Sequence, residues 1–532
     1  MSDGSLSWRA SKKKSDLEQK LSQEKRKQAG VSFPSAAKQE HLLVIRLDLQ
    51  SSVIKNASLA RKGLKRLCNF FNRIDRGDIE IDELSEDGSI TQYKPSRYNF
   101  SATIGFGIGF FEKLNIDKYN RPRRLYSMPD HNELMDPFPY RLRQTDLILQ
   151  LGSTTDFVNR WIFQNDSYDR VLENTGYHRR EQYYTGDTTS LNNETSDANI
   201  HDIESSIKDW AIITDVHAGF QRLDGRNLMG FNDGISNPDR FNNNVIWTTQ
   251  NDEDDRFRDG TYMVFQKIEH DLEKWKALGI REQEKWVGRS KATGLLLGTL
   301  SHDDDRKLAL DCKSTDPYVR DSARKRLQNL VKEQGDPEKE LYTEPASNNI
   351  SIECPVWSHV RKSNPRGEDG APKKIIFRRG YLFMTDAVNG VVSSGLLFIC
   401  FQRDIMNGFE YVKKNFLNNK NFPIPEKRKN FSKQELADRH RHGRFSVIEL
   451  QGLGSVERAT LGMDSKIYKE AIEEAHDPDA QNTGREGLTG PSKLGIHPHG
   501  EFSSAVSLGG GYYFIPPIPN KSLPDIADQF FV

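Results

Sequence analysis

The chain has 532 residues, which is long enough for two domains and a large buried site. Its 76 lysines and arginines balance its 76 aspartates and glutamates, so no overall charge attracts nucleic acid or anionic lipid, and we expect a small-molecule partner. The four cysteines are scattered without a C-x-x-C pair, which argues against a disulfide framework, a zinc ribbon or a cysteine-held iron–sulfur cluster.

The first 40 residues are rich in lysine, glutamine, serine and glutamate, and this composition predicts a disordered basic arm. The arm contains no apolar signal region. The most apolar run of the chain, residues 391–401, is interrupted by serine and glycine and is too short to span a membrane. We therefore expect a cytoplasmic protein that binds no membrane.

The first half of the chain alternates predicted strands and helices. HLLVIRLDLQ (41–50) has the alternation of a half-buried strand, and residues 57–74 repeat apolar side chains at helical spacing. YNFSATIGFG (98–107) and DLILQLG (146–152) predict further strands, and DFVNRWIFQ (156–164) predicts a helix. This order is typical of a split β-α-β sandwich.

The second half repeats the first in outline, after a polar stretch at 166–209 that predicts a long surface excursion. Residues 261–275 predict a strand that runs into a helix, and IIFRRGYLF (375–383) predicts another strand. Residues 395–417 predict a strand followed by a helix, whereas 314–341 is a charged, helical, solvated insertion. Two domains of similar α+β construction are expected.

A tight turn surrounds Asp233 in GFNDGISNP (230–238). The two glycines and the Asn-Pro pair specify the turn, and by itself such a turn is most often an ordinary loop. Downstream, CPVWSHVRKSNPR (354–366) places His359 shortly before Arg361 and Arg366. A lone histidine is usually a packed or surface residue, but this positive cluster is suited to the carboxylates of a haem while the neutral imidazole ligates iron.

The strand KKIIFRRGYLF (373–383) carries two consecutive arginines, Arg378 and Arg379. Paired arginines are commonly a solvated face. Because side chains alternate along a strand, these two point to opposite sides, and at most one of them faces a pocket.

Five motifs in this order resemble dye-decolorizing peroxidases. They are the G-F-x-D-G turn, the H-V-R-K-x-N-P-R block, the I-x-F-R-R-G strand, the G-L-L-F-x-C-F strand and the terminal GGGYYFIPP. IGFGIGFF and PRRLYSMPD resemble the family's first domain, so the similarity extends from about residue 41 to 517.

The resemblance implies an α+β fold of two ferredoxin-like domains that form a dimeric α+β barrel-like unit, with haem held in the second. We assign the N-terminal domain to residues 41–215 and the haem-binding domain to 216–532, with the charged insertion near 301–345.

The resemblance also implies the residues of the site. His359 is the proximal ligand to the iron of one haem b per chain, Asp233 is the distal acid and Arg378 is the distal cation. Leu396 and Phe398 form the apolar wall over the haem. The positive cluster after His359, rather than the resemblance, assigns Arg361 and Arg366 to cofactor binding.

The activity that follows from the resemblance is reduction of hydrogen peroxide with oxidation of dyes, phenols or other organic electron donors. Bulky donors imply electron transfer through aromatic residues, for which Trp357 and Tyr381 are candidates. Glu473 and Asp477 are candidates for the acidic partner of the proximal histidine.

Other readings are weaker. Gly105, Gly107 and Gly109 lack the spacing of a dinucleotide-binding loop, and the H-x-H pairs at 440–442 and 497–499 have no supporting acidic or cysteine cluster. The main alternative is a haem-binding or haem-storage protein of the same fold with little turnover. The terminal arms, including the apolar tail DIADQFFV (525–532), are candidates for docking onto a partner.

Overall fold

The computed structural model describes residues 26–32, 39–84, 89–136, 138–155, 203–239, 244–337, 339, 341, 350, 353–355, 358–367, 371–384, 393–419, 505–519 and 523–531. Several predictions concern residues outside these ranges: the helix at 156–164, most of the polar stretch at 166–209, Trp357, Glu473, Asp477 and both H-x-H pairs.

The first half consists of strands and helices in a βαββαβ order, with one small hairpin and a short N-terminal helix added. Its strands are β1 (His41–Leu49), β2 (Ile81–Leu84), β3 (Ile90–Tyr93), β4 (Ser101–Phe106), β5 (Leu147–Ser153) and β6 (Ala211–Phe220). Its helices are α1 (Ala29–Ser32), α2 (Ala57–Arg76), α3 (Ile108–Lys113) and α4 (Ile203–Ile207).

The second half follows the same order with a longer helical insertion after its first strand. Its strands are β7 (Thr261–His270), β8 (Phe377–Arg378), β9 (Tyr381–Met384), β10 (Ser394–Gln402) and β11 (Ala505–Ile515). Its helices are α5 (Leu272–Ala277), α6 (Ile280–Val287), α7 (His302–Asp311), α8 (Pro317–Gly335), α9 (His359–Ser363) and the π-helical turns Met406–Glu410 and Val412–Leu417.

The strand order confirms the α+β, ferredoxin-like prediction. The first half has the order β4-β5-β1-β6 and the second has β9-β10-β7-β11, which is the same arrangement of first, second, third and fourth strands. The two sheets join where Phe106 pairs with Phe514 and Phe220 pairs with Leu382, so the antiparallel strands form a closed ring. The division at 215/216 stays a prediction, and it falls inside β6.

Helix α2 shows why the local predictions hold. Asn56 caps its start by accepting a hydrogen bond from the Leu59 N–H, and Gly77 ends it at a φ of 77°. The side chains of Leu64 and Phe71 are buried against the outer face of the first sheet. The apolar face of α2, rather than its helix propensity, therefore fixes its position.

The predicted strand at 375–383 is interrupted. Phe377–Arg378 and Tyr381–Met384 pair with β10 in one shared register, since Arg378 faces Cys400 and Tyr381 faces Leu397. The predicted helix at 408–417 is helical but π-wound: the Asn418 N–H donates to the Lys413 carbonyl five residues back. Such widened turns are frequent at functional sites.

The predicted disordered arm and docking tail need correction where the structure describes them. Residues 26–32 are folded: Val31 is buried among residues of the ring interior, and the Gln28 side chain donates to the Ile104 and Pro516 carbonyls. At the other terminus, Ile526 and Phe530 are fully buried in the core beside α2. The tail is therefore a core element rather than a free docking peptide. No helix in the described ranges is both long and apolar enough to cross a lipid bilayer.

Candidate active site

A cavity of about 310 Å³ lies in the second half, between one face of its sheet and helices α6 and α9. The turn that carries Asp233, the strand ends at Arg378 and the π-helical segment complete its wall. Six of the seven predicted site residues contribute to this wall, although they come from distant parts of the chain: Asp233, His359, Arg366, Arg378, Leu396 and Phe398.

The sheet face supplies an apolar floor. Leu396 and Phe398 alternate along β10 and both face the cavity, as predicted. In the register with β7, Leu396 lies opposite Ile268 and Phe398 lies opposite Gln266, and these two partners line the cavity too. The floor is therefore built by adjacent strands of the ferredoxin-like sheet.

His359 is the first residue of α9, and a close approach of α6 holds this short helix in place. Gly288 ends α6 at a φ of 89°, and a Cβ there would lie only 2.5 Å from Val360 Cγ2. Burial lowers the pKa of His359 to about 4, and the positive charges of Arg378 and Arg289 act in the same direction. The imidazole is therefore neutral at ordinary pH, the form that ligates a metal.

The turn around Asp233 is fixed by the hydrogen bonds of its own backbone. The Asp233 N–H donates to the Gly225 carbonyl at 3.1 Å, and the Gly234 N–H donates to Asp233 Oδ1 at 2.7 Å. Arg226 Nη1 donates to the Gly230 carbonyl at 2.6 Å, which ties the start of the turn. The Asp233 carboxylate is exposed at the cavity wall, where it is open to a ligand.

The two arginines of the R-R-G strand point to opposite sides, as predicted. Arg378 lines the cavity, whereas Arg379 is buried in the ring interior, where its Nη2 donates to Gln39 Oε1 at 2.6 Å. Tyr381 lies on the same interior side and donates its hydroxyl hydrogen to the Gln39 carbonyl at 2.9 Å. Tyr381 is therefore not part of the cavity wall, which weakens its candidacy as a relay residue.

Arg289 is a cavity residue that the sequence did not predict. Arg289 and Arg366 both line the cavity, and each donates a hydrogen bond from Nη2 to Ser236 Oγ, at 2.9 and 2.7 Å. Arg361, by contrast, is absent from the wall; its Nη1 donates to the Cys354 carbonyl and supports the turn before α9. Arg289 follows the end of α6, and no local pattern marks it as a partner of the distant Arg366.

The charged side chains of the wall are mostly basic. Six cations and two carboxylates line the cavity: Arg289, Lys362, Arg366, Lys374, Arg378 and Lys413, against Asp136 and Asp233. Lys413 and Asp136 form a buried pair with Nζ and Oδ2 2.6 Å apart. The remaining excess of positive charge favours an anionic ligand.

This donor set fits a haem. One neutral imidazole is the usual protein ligand of haem iron, an apolar floor matches the porphyrin face, and paired arginines match two carboxylates.

Among the described residues no group of three or more histidines, cysteines, aspartates and glutamates is placed to hold a metal ion. A Cβ at Gly107 would clash with the Thr145 carbonyl and one at Gly109 would clash with Asp146 Oδ1, so close packing accounts for these two glycines.

Comparison with known proteins confirms the resemblance over the cavity region. Residues 224–433 match the family described as Dyp-type peroxidase, C-terminal. The deferrochelatases of Escherichia coli strain K12 and strain UTI89 are 30% and 31% identical over 194 residues, which is 35% of this chain. The chain spans 37% of the length of these curated relatives.

The chain also matches solved structures, each at less than 25% identity. A DyP-type peroxidase from Cellulomonas bogoriensis has a TM-score of 0.48 at 19% identity and covers 73% of this chain and 86% of its own. DyPB from Rhodococcus jostii RHA1 has a TM-score of 0.46 at 16% identity and covers 95% of this chain and 98% of its own.

Proposed function

We propose, from the match of residues 224–433 to the C-terminal part of dye-decolorizing peroxidases, that this chain is a haem-dependent peroxidase. It would reduce hydrogen peroxide and oxidise dyes, phenols or other organic donors. The observation that carries the proposal is that His359, Asp233 and Arg378, which are far apart in the sequence, line one cavity with an apolar floor.

The chain's own residues would bind one haem b. The neutral His359 imidazole would donate its nitrogen lone pair to iron, and α9 would hold the ring in place. Arg289 and Arg366, joined through Ser236, would bind the carboxylates with their positive charge. Leu396 and Phe398 would exclude water from the opposite face.

Asp233 and Arg378 would handle the peroxide. When bound, haem supplies a ferric centre at which the peroxide O–O bond is cleaved. The Asp233 carboxylate would take the proton from the inner oxygen of peroxide and return it to the outer oxygen, which then departs as water. Arg378 would hold a positive charge beside the separating oxygens.

Donors too large for the cavity require a route for electrons to the surface. Phe398 lines the cavity, and its ring centroid is 5.8 Å from that of Phe409. Phe409 is 6.1 Å from Tyr512, which is 5.6 Å from the half-buried Tyr126. Tyr512 donates its hydroxyl hydrogen to Glu410 Oε1 at 3.1 Å, so a proton acceptor accompanies the ring. This chain of rings replaces Tyr381 as our candidate relay.

The cysteines support a reducing compartment, and we propose a cytoplasmic location on that basis. No disulfide bond joins the chain's four cysteines, all of which lie in the described ranges, and Cys68, Cys354 and Cys400 are buried. Cysteines that form no disulfide are more usual in proteins kept under reducing conditions. Fractionation of cells that express the full chain, followed by thiol titration of the native protein, tests this location.

The test of the function begins with an absorbance spectrum. The purified chain should bind one haem per chain with a Soret band, and His359→Ala should lose that band while added imidazole restores it. His302→Ala, a surface histidine on α7, is the matched control. A chain that takes up no haem, or a His359→Ala variant with an unchanged spectrum, would contradict the proposal.

The second measurement separates the enzyme from a haem-storage protein. Arg378→Leu should keep its haem but react with peroxide about 100-fold more slowly, since a positioned charge is lost where negative charge develops. Arg222→Leu, an exposed arginine paired with Asp224, is the control. Haem binding with no peroxide reactivity in the unaltered chain would favour storage.

A further inference from the structure

The cavity contains a second histidine that the peroxide chemistry above does not use. His270, the last residue of β7, lines the cavity, and its Nδ1 atom is buried with no hydrogen-bond partner among the described residues. Burial lowers the pKa of His270 to about 4, so the ring is neutral. A buried polar atom without a partner destabilises the fold, and a ligand that supplies the partner offsets this.

The surroundings of His270 are aromatic and apolar. Phe231, Trp275 and Trp286 form one buried cluster, and all three line the cavity beside His270. The Phe231 and Trp275 rings meet edge to face, with centroids 6.2 Å apart. Trp275 Nε1 donates to the Met229 carbonyl at 3.2 Å, which fixes the indole. An apolar, aromatic pocket that presents a neutral imidazole is complementary to an aromatic ring that carries a hydroxyl.

This end of the cavity is distant from Arg378. Arg378 pairs with Cys400, and Cys400 pairs with Val264 on β7. Val264 and His270 are six positions apart on one strand, a separation of roughly 20 Å at the usual rise per residue. The two arginines suited to carboxylates, Arg289 and Arg366, donate hydrogen bonds to Ser236. Ser236 precedes Asn237, whose side chain bonds the Arg378 backbone. We therefore expect the haem carboxylates near Ser236. They do not explain why a neutral imidazole lies at the His270 end of the cavity.

We propose that the His270 end of the cavity binds a phenolic electron donor and that His270 accepts the phenol proton as the phenol is oxidised. This inference rests on the proposed peroxidase function, which supplies the oxidant. Each phenol loses one electron to the cofactor that peroxide has oxidised, and its O–H proton goes to His270, which leaves a phenoxyl radical. For one hydrogen peroxide, two phenols give two phenoxyl radicals and two waters; His270 releases each phenol proton to solvent, and two protons are taken up from solvent as the second water forms.

The chemistry explains why an imidazole suits this position. A phenol that loses an electron becomes strongly acidic, so even a weakly basic acceptor takes its proton. A ring that stays neutral into the acid range keeps its lone pair available for that proton. The indole rings offer stacking surfaces but no proton acceptor, since an indole N–H only donates.

Two variants separate binding from proton transfer. His270→Leu removes both the hydrogen bond and the base, whereas His270→Gln keeps a hydrogen-bonding group but provides no base. Calorimetry of 2,6-dimethoxyphenol with the haem-loaded chain, without peroxide, should show binding that His270→Leu weakens at least 10-fold and His270→Gln weakens only a few-fold. Repeating the calorimetry with the haem-free chain gives a readout that does not depend on activity.

Turnover provides the second readout. Both variants should lower kcat/KM for the phenol by about 100-fold, the usual effect of losing a positioned base. Their reaction with peroxide and their oxidation of 1,2,4-trimethoxybenzene, which has no hydroxyl proton, should be unchanged. His302→Gln, a histidine outside the cavity, should behave as the unaltered chain.

The outcomes are distinguishable. Equal losses for the phenol and the methoxybenzene, or phenol binding unaffected by His270→Leu, would overturn the donor-site proposal and leave the peroxidase proposal intact. An unaltered chain that binds no haem or fails to react with peroxide would overturn the peroxidase proposal, and the proton-transfer step with it.

Discussion

The side-chain amide of Asn237 forms a reciprocal pair of hydrogen bonds with the backbone of Arg378. Asn237 Oδ1 accepts from the Arg378 N–H at 2.8 Å, and Asn237 Nδ2 donates to the Arg378 carbonyl at 2.7 Å. Asn237 belongs to the same tight turn as Asp233, so this pair ties the turn to the strand β8. The carboxylate and the guanidinium assigned to peroxide are thereby held relative to each other.

Asn237→Ala should slow the reaction with peroxide by about 10-fold without loss of haem. The reason is that two backbone groups of Arg378 lose their partner, a loss of about 1–3 kcal/mol that loosens β8 against the turn. Stopped-flow spectra of the haem-loaded variant measure the rate. Asn251→Ala, at an exposed position, should leave the rate unchanged; a wild-type rate in Asn237→Ala would show that the turn is held by other contacts.

Alanine substitutions at two glycines distinguish the cost of backbone strain from damage to the candidate site. Gly234 and Gly77 have φ values of 76° and 77°; a Cβ at Gly234 would meet no atom within 4 Å, and one at Gly77, at the end of α2, would meet only Ser96 Oγ at 3.4 Å. Alanine at either position should lower the free energy of unfolding by about 1 kcal/mol, because L residues disfavour positive φ. Urea denaturation should give similar losses for both, whereas only Gly234→Ala, next to Asp233, should slow the peroxide reaction. Equal effects on the reaction would mean that the Asp233 carboxylate is not oriented by this turn.

Much of the fold is readable from local pattern. The strand at His41–Leu49 and the helix at Ala57–Arg76 lie where the periodicity predicts them, but the strand is buried on both faces rather than half-buried, because the ring of strands covers its inner face and α2 its outer face. The C-terminal tail was misjudged because an isolated apolar segment carries no sign of its partner; Phe530 packs against Phe106 and Phe111, which are remote in sequence. Burial of such a tail is a tertiary event that a sequence window does not record.

Most residues of the site could be predicted only because the family resemblance identified them. Strand alternation alone predicted that just one arginine of the R-R-G strand faces the cavity, and Arg378 does so while Arg379 does not. Arg289 and His270 had no local signal, since each becomes part of the wall only through the packing of α6 and β7. The assignment of Arg361 to the cavity was wrong. Arg361 is close to His359 in sequence, but its side chain supports the turn before α9 and does not reach the cavity wall.

The chain of rings from Phe398 to Tyr126 predicts that changing one of its residues slows the oxidation of bulky donors and not that of small ones. Tyr512→Phe removes the hydroxyl that bonds Glu410 but keeps the ring, so oxidation of a bulky anthraquinone dye should fall about 10-fold or more, as for loss of a positioned proton acceptor. The reaction with peroxide should not change. Tyr262→Phe is a matched control, because Tyr262 is also buried and bonded to a glutamate, Glu253, but lies outside the ring chain. Dye oxidation that survives in Tyr512→Phe would place the electron route elsewhere.

The buried ion pair of Lys413 and Asp136 at the cavity wall predicts a strong dependence of stability on both partners. Lys413 is 9% exposed and Asp136 is 7% exposed, and Asn418 Nδ2 also donates to Asp136 Oδ1 at 3.0 Å. Lys413→Met should lower the free energy of unfolding by about 3 kcal/mol, because it leaves a carboxylate in a low-dielectric site without its counter-charge.

The double variant Lys413→Met with Asp136→Asn should recover most of that loss, since the asparagine keeps an acceptor for Asn418 and removes the unpaired charge. Urea denaturation of the two single variants and the double variant completes the cycle. Lys339→Met, which breaks a surface pair with Glu333, should change stability by less than about 1 kcal/mol. Additive losses in the double variant would mean that the two side chains are stabilised separately and that the pair does not act as a unit.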